Sequence, residues 1–501
     1  MTDRTKLGIV VLLAAALLGI LGDILLRAMP WGLNVFVWST ALVTAVVILV
    51  RWRRVALNGS GRWLTAPVLL FAASLAWRDS PVLNALSLLA LALSLALALL
   101  RAQAGQLLLA GVMEYLLSIL LAAFNAAAGA IRLVAEDIQW KELSHEGWRK
   151  HSGPVLRGLA IALPLLLIFG ALLAGADAVF SNIISRGFDW DIARTIDHAA
   201  LIILIGWMVS GFLRGVLLGK EIAVTAGGRP QGWHLGITEI GIALGLLDVL
   251  FLSFVLVQFR YFFGGAARVQ TIPGLTYAEY ARSGFFELVS VAALVLPLLL
   301  AAHWFLRKEK PLEERIFRLL AGMMIVLLAV IMVSAFRRMY IYQQEYGLTE
   351  LRVYTTAFMG WLVLVFGWFG LTVLRGKRER FAFGAVATGF SLVIGLLVVN
   401  PDNLIVSANL QHASSGREFD AGYLGRLSAD AVPKVIDSMA GLEKEPRCIL
   451  ARVLLQRLNT QSDLDWRQWN WSRSEASRLI REHESSLRTI TEACPYPAQK
   501  D

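Results

Sequence analysis

The sequence predicts an all-α protein: a polytopic transmembrane helical bundle of about eleven spans, followed by a small soluble α-helical C-terminal domain. Of its 501 residues, 57% are hydrophobic and 17% are charged, whereas roughly a quarter of the residues of a soluble protein are charged. Stretches such as 86–100 and 361–374 are long, apolar and nearly free of charge, which is typical of bilayer-spanning helices. After residue 154, Lys and Arg cluster at every second junction between apolar runs, which is the positive-inside pattern.

The apolar runs define the predicted spans. They lie at residues 7–26, 33–50, 64–77, 81–100, 154–175, 198–218, 236–259, 284–306, 318–336, 356–374 and 381–399. The first run follows Arg4 and Lys6 without a small-residue cleavage pattern, so we expect an uncleaved first span. The charge pattern then places the N-terminus in the cytoplasm and the C-terminal domain on the extracytoplasmic side.

Segment 103–153 does not fit a simple crossing. Its apolar part, 106–133, is interrupted by Glu114 and Asn125, and a basic stretch follows it. A single crossing would put that basic stretch outside, against the charge rule. We therefore expect an amphipathic or re-entrant element with a basic cytoplasmic loop, and a twelfth crossing is the alternative. The predicted domains are 1–102 (N-terminal transmembrane helices), 103–153 (this element), 154–400 (transmembrane helical bundle) and 401–501 (extracytoplasmic helical domain).

The formal charge of +10 predicts a lipid partner rather than nucleic acid. The Lys and Arg residues lie at helix ends and do not form one patch, as expected for loops held near anionic membrane lipid. Other membrane or envelope proteins are the further partners that we expect. The seven His residues are scattered and the sequence has only two Cys, so we predict no metal site and no cofactor.

The C-terminal region is charged and helical in pattern. Asp430, followed by Pro433, predicts the N-cap of one helix, and Ser472 with Glu475 predicts a capping box at the start of another. Such a small domain has a thin core, and a disulfide between Cys448 and Cys494 would stabilise it outside the cytosol. Two reduced thiols are the alternative.

Acidic side chains in the apolar runs, including Asp23, Glu239 and Asp248, predict interhelical hydrogen bonds or residues near the membrane surface. Three polar segments share the predicted outer face: 258–282, 337–354 and 400–409. They combine Arg, Tyr, Glu and Asn in a mixture suited to an anionic or hydroxyl-rich headgroup. Interfacial anchoring of Tyr and Arg is the alternative interpretation. The candidate ligand-binding residues are Arg260, Tyr277, Glu279, Arg282, Glu287, Arg338, Tyr342, Glu345, Tyr346, Arg352, Asn400 and Asp402.

Several sequence strings in these regions resemble the signatures of a bacterial integral-membrane family known only as a domain of unknown function, of the four-one-seven-three type. The resemblance implies a bacterial cytoplasmic (inner) membrane setting and says nothing about substrate. The strings lie at residues 276–288, 346–352, 400–402, 423–433 and 465–473, with Gly22-Asp23 and 30–34 near the start.

Three functions remain open, because the sequence contains no Walker loop, HExxH, G-x-S-x-G or dinucleotide fingerprint. The first is a structural, sensing or partner-binding membrane protein with an outer-face polar site. The second is a secondary transporter of a small or anionic solute, suggested by the intramembrane acids. The third is an envelope enzyme acting on lipid-linked or headgroup substrates. Whether the protein is an enzyme is left undecided.

Overall fold

The computed structural model describes most of the chain. The described residues are 1–53, 65–104, 123–124, 126–143, 192–218, 235–263, 285–306, 310–377, 380–414, 419–460 and 465–494, with single residues at 162, 169 and 173. Within these ranges the regular structure is helical, apart from one isolated bridge between Leu235 and Leu306. The predicted all-helical fold is confirmed.

Ten apolar helices of the bundle lie within the described residues. They are α1 (Asp3–Leu26), α2 (Leu33–Trp52), α3 (Thr65–Trp77), α4 (Pro81–Ala104), α5 (Ile192–Leu217), α6 (Ile237–Phe263), α7 (Phe285–Phe305), α8 (Pro311–Tyr346), α9 (Glu350–Thr372) and α10 (Phe381–Val399). Among the described residues nine of them are long and apolar enough to cross a membrane, and α3 is a shorter apolar helix. These helices indicate a multi-pass membrane protein. Most of the predicted span at 154–175 lies outside the described residues, so the count of eleven stays a prediction.

In the described part of the C-terminal region, six further α-helices follow the bundle. They are α11 (Pro401–Ser414), α12 (Ala421–Arg426), α13 (Val432–Ser438), α14 (Lys444–Thr460), α15 (Trp471–Glu482) and α16 (Glu484–Glu492). Their core includes Leu424, Leu450 and Ile480, and it continues into the bundle through Leu348 and Val353. A disulfide joins Cys448 to Cys494 with 6.0 Å between the Cα atoms. These residues therefore pack directly against the membrane helices.

The C-terminal helices contact one end of the bundle, which we call the docking end. It consists of the junctions at 24–33, 75–81 and 345–350 and the end of α10 at 397–400. The junctions are short, so neighbouring helices run antiparallel and each returns to the same end. Two of the three polar segments of the sequence, 337–354 and 400–409, are thus represented at this end by the α8–α9 junction and the start of α11, and most of 258–282 lies outside the described residues.

Helices α1 and α5 form a close antiparallel pair. A Cβ added to Gly19 of α1 would lie 2.7 Å from the carbonyl oxygen of Ile202, so only glycine allows this approach. At one end of the pair, Asp23 binds Nδ1 of His198 at 2.5 Å and the guanidinium of Arg27 at 3.0 Å. The predicted interhelical hydrogen bonding of Asp23 is found in this arrangement.

The described part of segment 103–153 packs against the same pair. Residues 126–132 are α-helical, Leu133–Asp137 is a π-helix, and Trp140–Leu143 is a 3-10 helix. The buried Asp137 carboxylate binds Arg4 of α1 and Arg214 of α5, each at 2.5 Å, at the end opposite the docking end. Helix α4 starts at the docking end and also ends on that opposite side. Residues 105–122 lie outside the described residues, so the re-entrant path of segment 103–153 stays a prediction.

Candidate functional site

The most extensive polar cluster described lies where the C-terminal helices meet the α3–α4 junction. Oδ2 of Asp430 accepts the backbone N–H groups of Asp79 and Ser80 at 2.8 and 2.9 Å. Its other oxygen, Oδ1, accepts the Ser472 hydroxyl at 2.5 Å and lies 3.4 Å from a guanidinium nitrogen of Arg78. Helix α4 begins at Pro81, and amides just before a helix lack intrahelical acceptors. Asp430 therefore accepts the free N–H groups at the start of α4. Its negative charge is also favourable beside a helix N-terminus.

An ion pair between Arg473 and Asp79 also joins the C-terminal helices to the α3–α4 junction. Arg473 of α15 donates from Nη1 to Oδ1 of Asp79 at 2.9 Å, and Oδ2 of Asp79 accepts the N–H of Ala429 at 3.2 Å. Arg473 is 6% exposed and Asp79 19%. Burial raises the pKa of the Asp79 carboxyl despite the nearby Arg473, and burial lowers the pKa of the Arg473 guanidinium. Each segment thus supplies a buried carboxylate to the other.

The C-terminal helices also cap the end of α3. The last carbonyl groups of a helix have no intrahelical donor. The side-chain amide of Asn470 donates to the carbonyl groups of Leu75 and Arg78, each at 2.8 Å, and the single hydrogen of the Ser472 hydroxyl is shared between Asp430 and the carbonyl of Trp77, 2.9 Å away. Residues 470–472 therefore cap the C-terminal end of α3, and Asp430 caps the N-terminal end of α4.

Asn400 and Asp402 belong to this cluster. Asn400 ends α10 in the left-handed conformation, at φ 55°, and its side-chain amide donates to the carbonyl of Asp430 at 3.3 Å. Oδ2 of Asp402 accepts both the N–H of Ser428 at 3.1 Å and its hydroxyl. Oδ1 of this fully buried carboxyl has no hydrogen-bond partner. Burial raises the pKa of the Asp402 carboxyl to about 6.

A second group of predicted residues lies at the α8–α9 junction. The guanidinium of Arg352 donates to the carbonyl groups of Tyr346, at 2.9 Å, and Gly347, at 2.5 Å, and lies 4.0 Å from the centre of the Tyr342 ring. The side-chain amide of Asn409 in α11 binds both the N–H and the carbonyl of Leu348, at 2.7 and 2.8 Å. In this arrangement Arg352 closes a turn and Asn409 holds that turn to the C-terminal helices.

The remaining predicted residues are spread out. Glu345 contributes its carbonyl oxygen, 3.2 Å from Nε2 of His412. Arg338 is partly buried in α8, and Glu287 is exposed in the first turn of α7. The side chain of Arg260, and all of Tyr277, Glu279 and Arg282, lie outside the described residues. Whether these groups form one ligand site stays a prediction.

Both predicted helices are present, as Val432–Ser438 and Trp471–Glu482, but the predicted capping residues were wrong. Ser428, not Asp430, caps the turn at Ala429–Ala431, because the Asp430 carboxylate faces the bundle instead of its own helix. Asn470, not Ser472, caps α15 by accepting the N–H of Arg473 at 3.1 Å, because the Ser472 hydroxyl is bound to Trp77 and Asp430. In both cases a local capping pattern is used for a long-range contact.

Sequence reasoning did not select Asp79, Asp430 or Arg473 as site residues. Asp430 and Arg473 lie inside the strings that carry the family resemblance, which was the signal available. Asp79 is one charged residue in a short junction, and nothing in its surroundings indicates a partner 350 residues away.

Besides Asp23 of α1, a further buried acid lies within the described spans. Asp248 of α6 is 4% exposed, and neither of its carboxylate oxygens has a hydrogen-bond partner. Glu239, on the same helix, is exposed in the first turn. Over the part of the chain that the structure describes, no cluster of three or more His, Cys, Asp or Glu residues could hold a metal ion.

Comparison with known proteins adds one match. A family model described as "Domain of unknown function (DUF4153)" matches residues 65–438. This differs from the four-one-seven-three type that the sequence strings resemble. No curated protein and no solved structure matches the chain.

Proposed function

This chain belongs to the DUF4153 family, and we propose that it is a structural, partner-binding protein of the bacterial inner membrane that presents its C-terminal helices as a rigid platform. The single observation that carries the proposal is the buried cluster of Asp79, Asp430 and Arg473. A domain joined to the bundle only by a linker would need no such contacts.

The energetics of the cluster favour a fixed arrangement. A buried charge is costly unless it is paired and hydrogen-bonded, and removal of one member of a buried pair costs about 3–5 kcal/mol. Undocking the C-terminal helices would expose Asp430 to water but would leave the ends of α3 and α4 without their caps. In the docked geometry, therefore, both the buried charges of the C-terminal helices and the ends of α3 and α4 have hydrogen-bond partners.

Charge and cysteine usage support an extracytoplasmic position for the platform. The end opposite the docking end carries Arg51 in the last turn of α2 and Arg53 just after it, and Arg375 and Lys377 after α9. Clusters of this kind are retained in the cytoplasm. The Cys448–Cys494 disulfide belongs to the C-terminal helices, and disulfides persist outside the cytosol.

A cellular cross-linking experiment tests the platform role. A photo-reactive residue is placed at Glu484 or Arg488 of α16, whose side chains are 35% and 61% exposed, and adducts are compared between the native background and Asp430→Asn. We expect a discrete adduct that disappears in Asp430→Asn at equal protein abundance, because the platform is no longer held. Transport or turnover of a substrate by the purified protein alone would contradict the proposal.

A second candidate, secondary transport, is favoured by Asp248. A carboxyl that is buried in a span without a partner is a recurring feature of proton and ion pathways. Solute accumulation in vesicles is measured for Asp248→Asn, with Glu239→Gln as the matched control on the same helix. A transporter of this type loses its flux in the first variant and keeps it in the second. If the flux of both variants equals that of the native protein, Asp248 gives no support to a transport function.

A further inference from the structure

Three tryptophans lie close together on the surface of the otherwise polar C-terminal helices. Residues 465–472, which we call the tryptophan segment, contain Trp466, Trp469 and Trp471, exposed by 62%, 42% and 57%. Indole rings of this size are usually largely buried in a folded protein. An exposed group of them marks a surface with a partner.

The tryptophan segment is fixed across the ends of three membrane helices. Arg467 donates to the carbonyl of Ile24 in α1 at 2.5 Å, and the carbonyl of Trp469 accepts the N–H of Leu33 in α2 at 2.8 Å. Ser472 completes the contact with α3 through its bond to Trp77. The indoles therefore sit at the level where the spans end.

The surface of α1 leads directly to this segment. A stripe of exposed apolar side chains runs along the helix at spacings of four, three and four residues, which places them on one face. The stripe consists of Leu13, Leu17, Ile20 and Ile24. It ends at the residue whose carbonyl binds Arg467. On α3, the exposed Leu70 and Trp77 lie seven residues apart and form a similar face.

We propose that the tryptophan segment inserts into the interfacial layer of the bilayer, so that the C-terminal helices rest on lipid as well as on the bundle. Tryptophan favours this layer because its ring is apolar and its N–H is polar. The partly exposed guanidinium groups of Arg27 and Arg467 lie at the same level and suit lipid phosphates. Continuity with the α1 stripe favours lipid over a second protein as the occupant. The inference does not depend on the platform having a partner.

Lipid-bound spin labels test the proposal in the full-length protein. The chain is labelled with fluorotryptophan and reconstituted in nanodiscs of phosphatidylcholine and phosphatidylglycerol. Trp466→Phe, Trp469→Phe and Trp471→Phe each remove one resonance and so assign it among the sixteen tryptophans. Relaxation is then compared for a lipid labelled near its headgroup and for a soluble gadolinium chelate. Trp38 of α2, whose N–H binds the carbonyl of Leu18 at 3.1 Å, is the control inside the spans.

The expected result is loss of the Trp466 and Trp471 signals with the lipid label and their survival with the soluble chelate. The reverse order would overturn the proposal, because it would place both indoles in water. Survival with both agents would also overturn it, because protein would then cover the rings. In that case, tryptophan resonances that shift when the protein is diluted would identify the covering protein as a second copy of this chain.

Discussion

The carboxylate of Asp430 accepts the backbone N–H of Ser80 at 2.9 Å, across 350 positions of sequence. This bond joins the start of a membrane helix to the C-terminal helices. Its acceptor is buried and also serves Asp79 and Ser472. One carboxylate thus connects α3, α4, α13 and α15, and its removal affects each of these contacts.

Asp430→Asn is expected to destabilise docking by about 3 kcal/mol or more, because an amide cannot replace a fully used buried carboxylate. Proteolysis between the bundle and the C-terminal helices should accelerate, and the apparent unfolding temperature should fall. Asp437→Asn is the control, since Asp437 is exposed on the neighbouring helix α13. Equal behaviour of the two variants would show that the Asp430 contacts contribute little.

Docking is expected to strengthen as the pH falls from neutral. The Asp402 carboxyl has its pKa raised by burial from 3.8 to about 6, so the folded protein holds this proton more tightly than the unfolded chain. The stability it contributes is fully present below about pH 4 and is lost as the pH rises through about 6, a difference of up to about 3 kcal/mol. Burial shifts the pKa of Asp79 in the same direction.

Asp402→Asn separates this effect from others. The apparent unfolding temperature is measured between about pH 5 and pH 7.5. The variant should show a weaker dependence than the native chain, because the amide carries no charge at any of these pH values. Asp437→Asn should keep the native profile. A native stability that rises with pH over this range would contradict the assigned sign.

Gly347→Ala is expected to disturb the α8–α9 junction. Gly347 has φ 71°, which costs other residues about 1–3 kcal/mol. An added Cβ would also overlap Oδ1 of Asn409, the atom that accepts the N–H of Leu348. Gly360→Ala in the neighbouring membrane helix α9 is the matched control, because nothing lies within 4 Å of the added Cβ. Hydrogen exchange across 346–350 should accelerate only in Gly347→Ala.

Removal of the disulfide should loosen the C-terminal helices without disturbing the bundle. The bond closes a segment with a sequence separation of 46, for which the loss of loop-closure entropy corresponds to about 4 kcal/mol. Cys448→Ser with Cys494→Ser should speed exchange in α14 and α16 while α1 and α5 stay protected. Unchanged exchange in α16 would show that packing alone holds these helices.

The sequence was sufficient for the features that depend on composition and local pattern. Long apolar runs located the helices, and the alternation of basic clusters correctly grouped the α8–α9 junction with the end of α10. The contacts of Asp79 with Ala429 and Arg473 could not be predicted in this way, because they join residues that only the tertiary fold brings together. Likewise, the capping pattern at Ser472 indicated a helix start, whereas its hydroxyl is used by α3.

We propose that the C-terminal helices are held rigidly at the docking end. Pulsed electron resonance between spin labels at Arg488 of α16 and Leu351 of α9, both exposed, measures this directly. We expect one narrow distance distribution in nanodiscs, which broadens in Asp430→Asn. A distribution that is already broad in the native chain, and unchanged by Asp430→Asn, would contradict it.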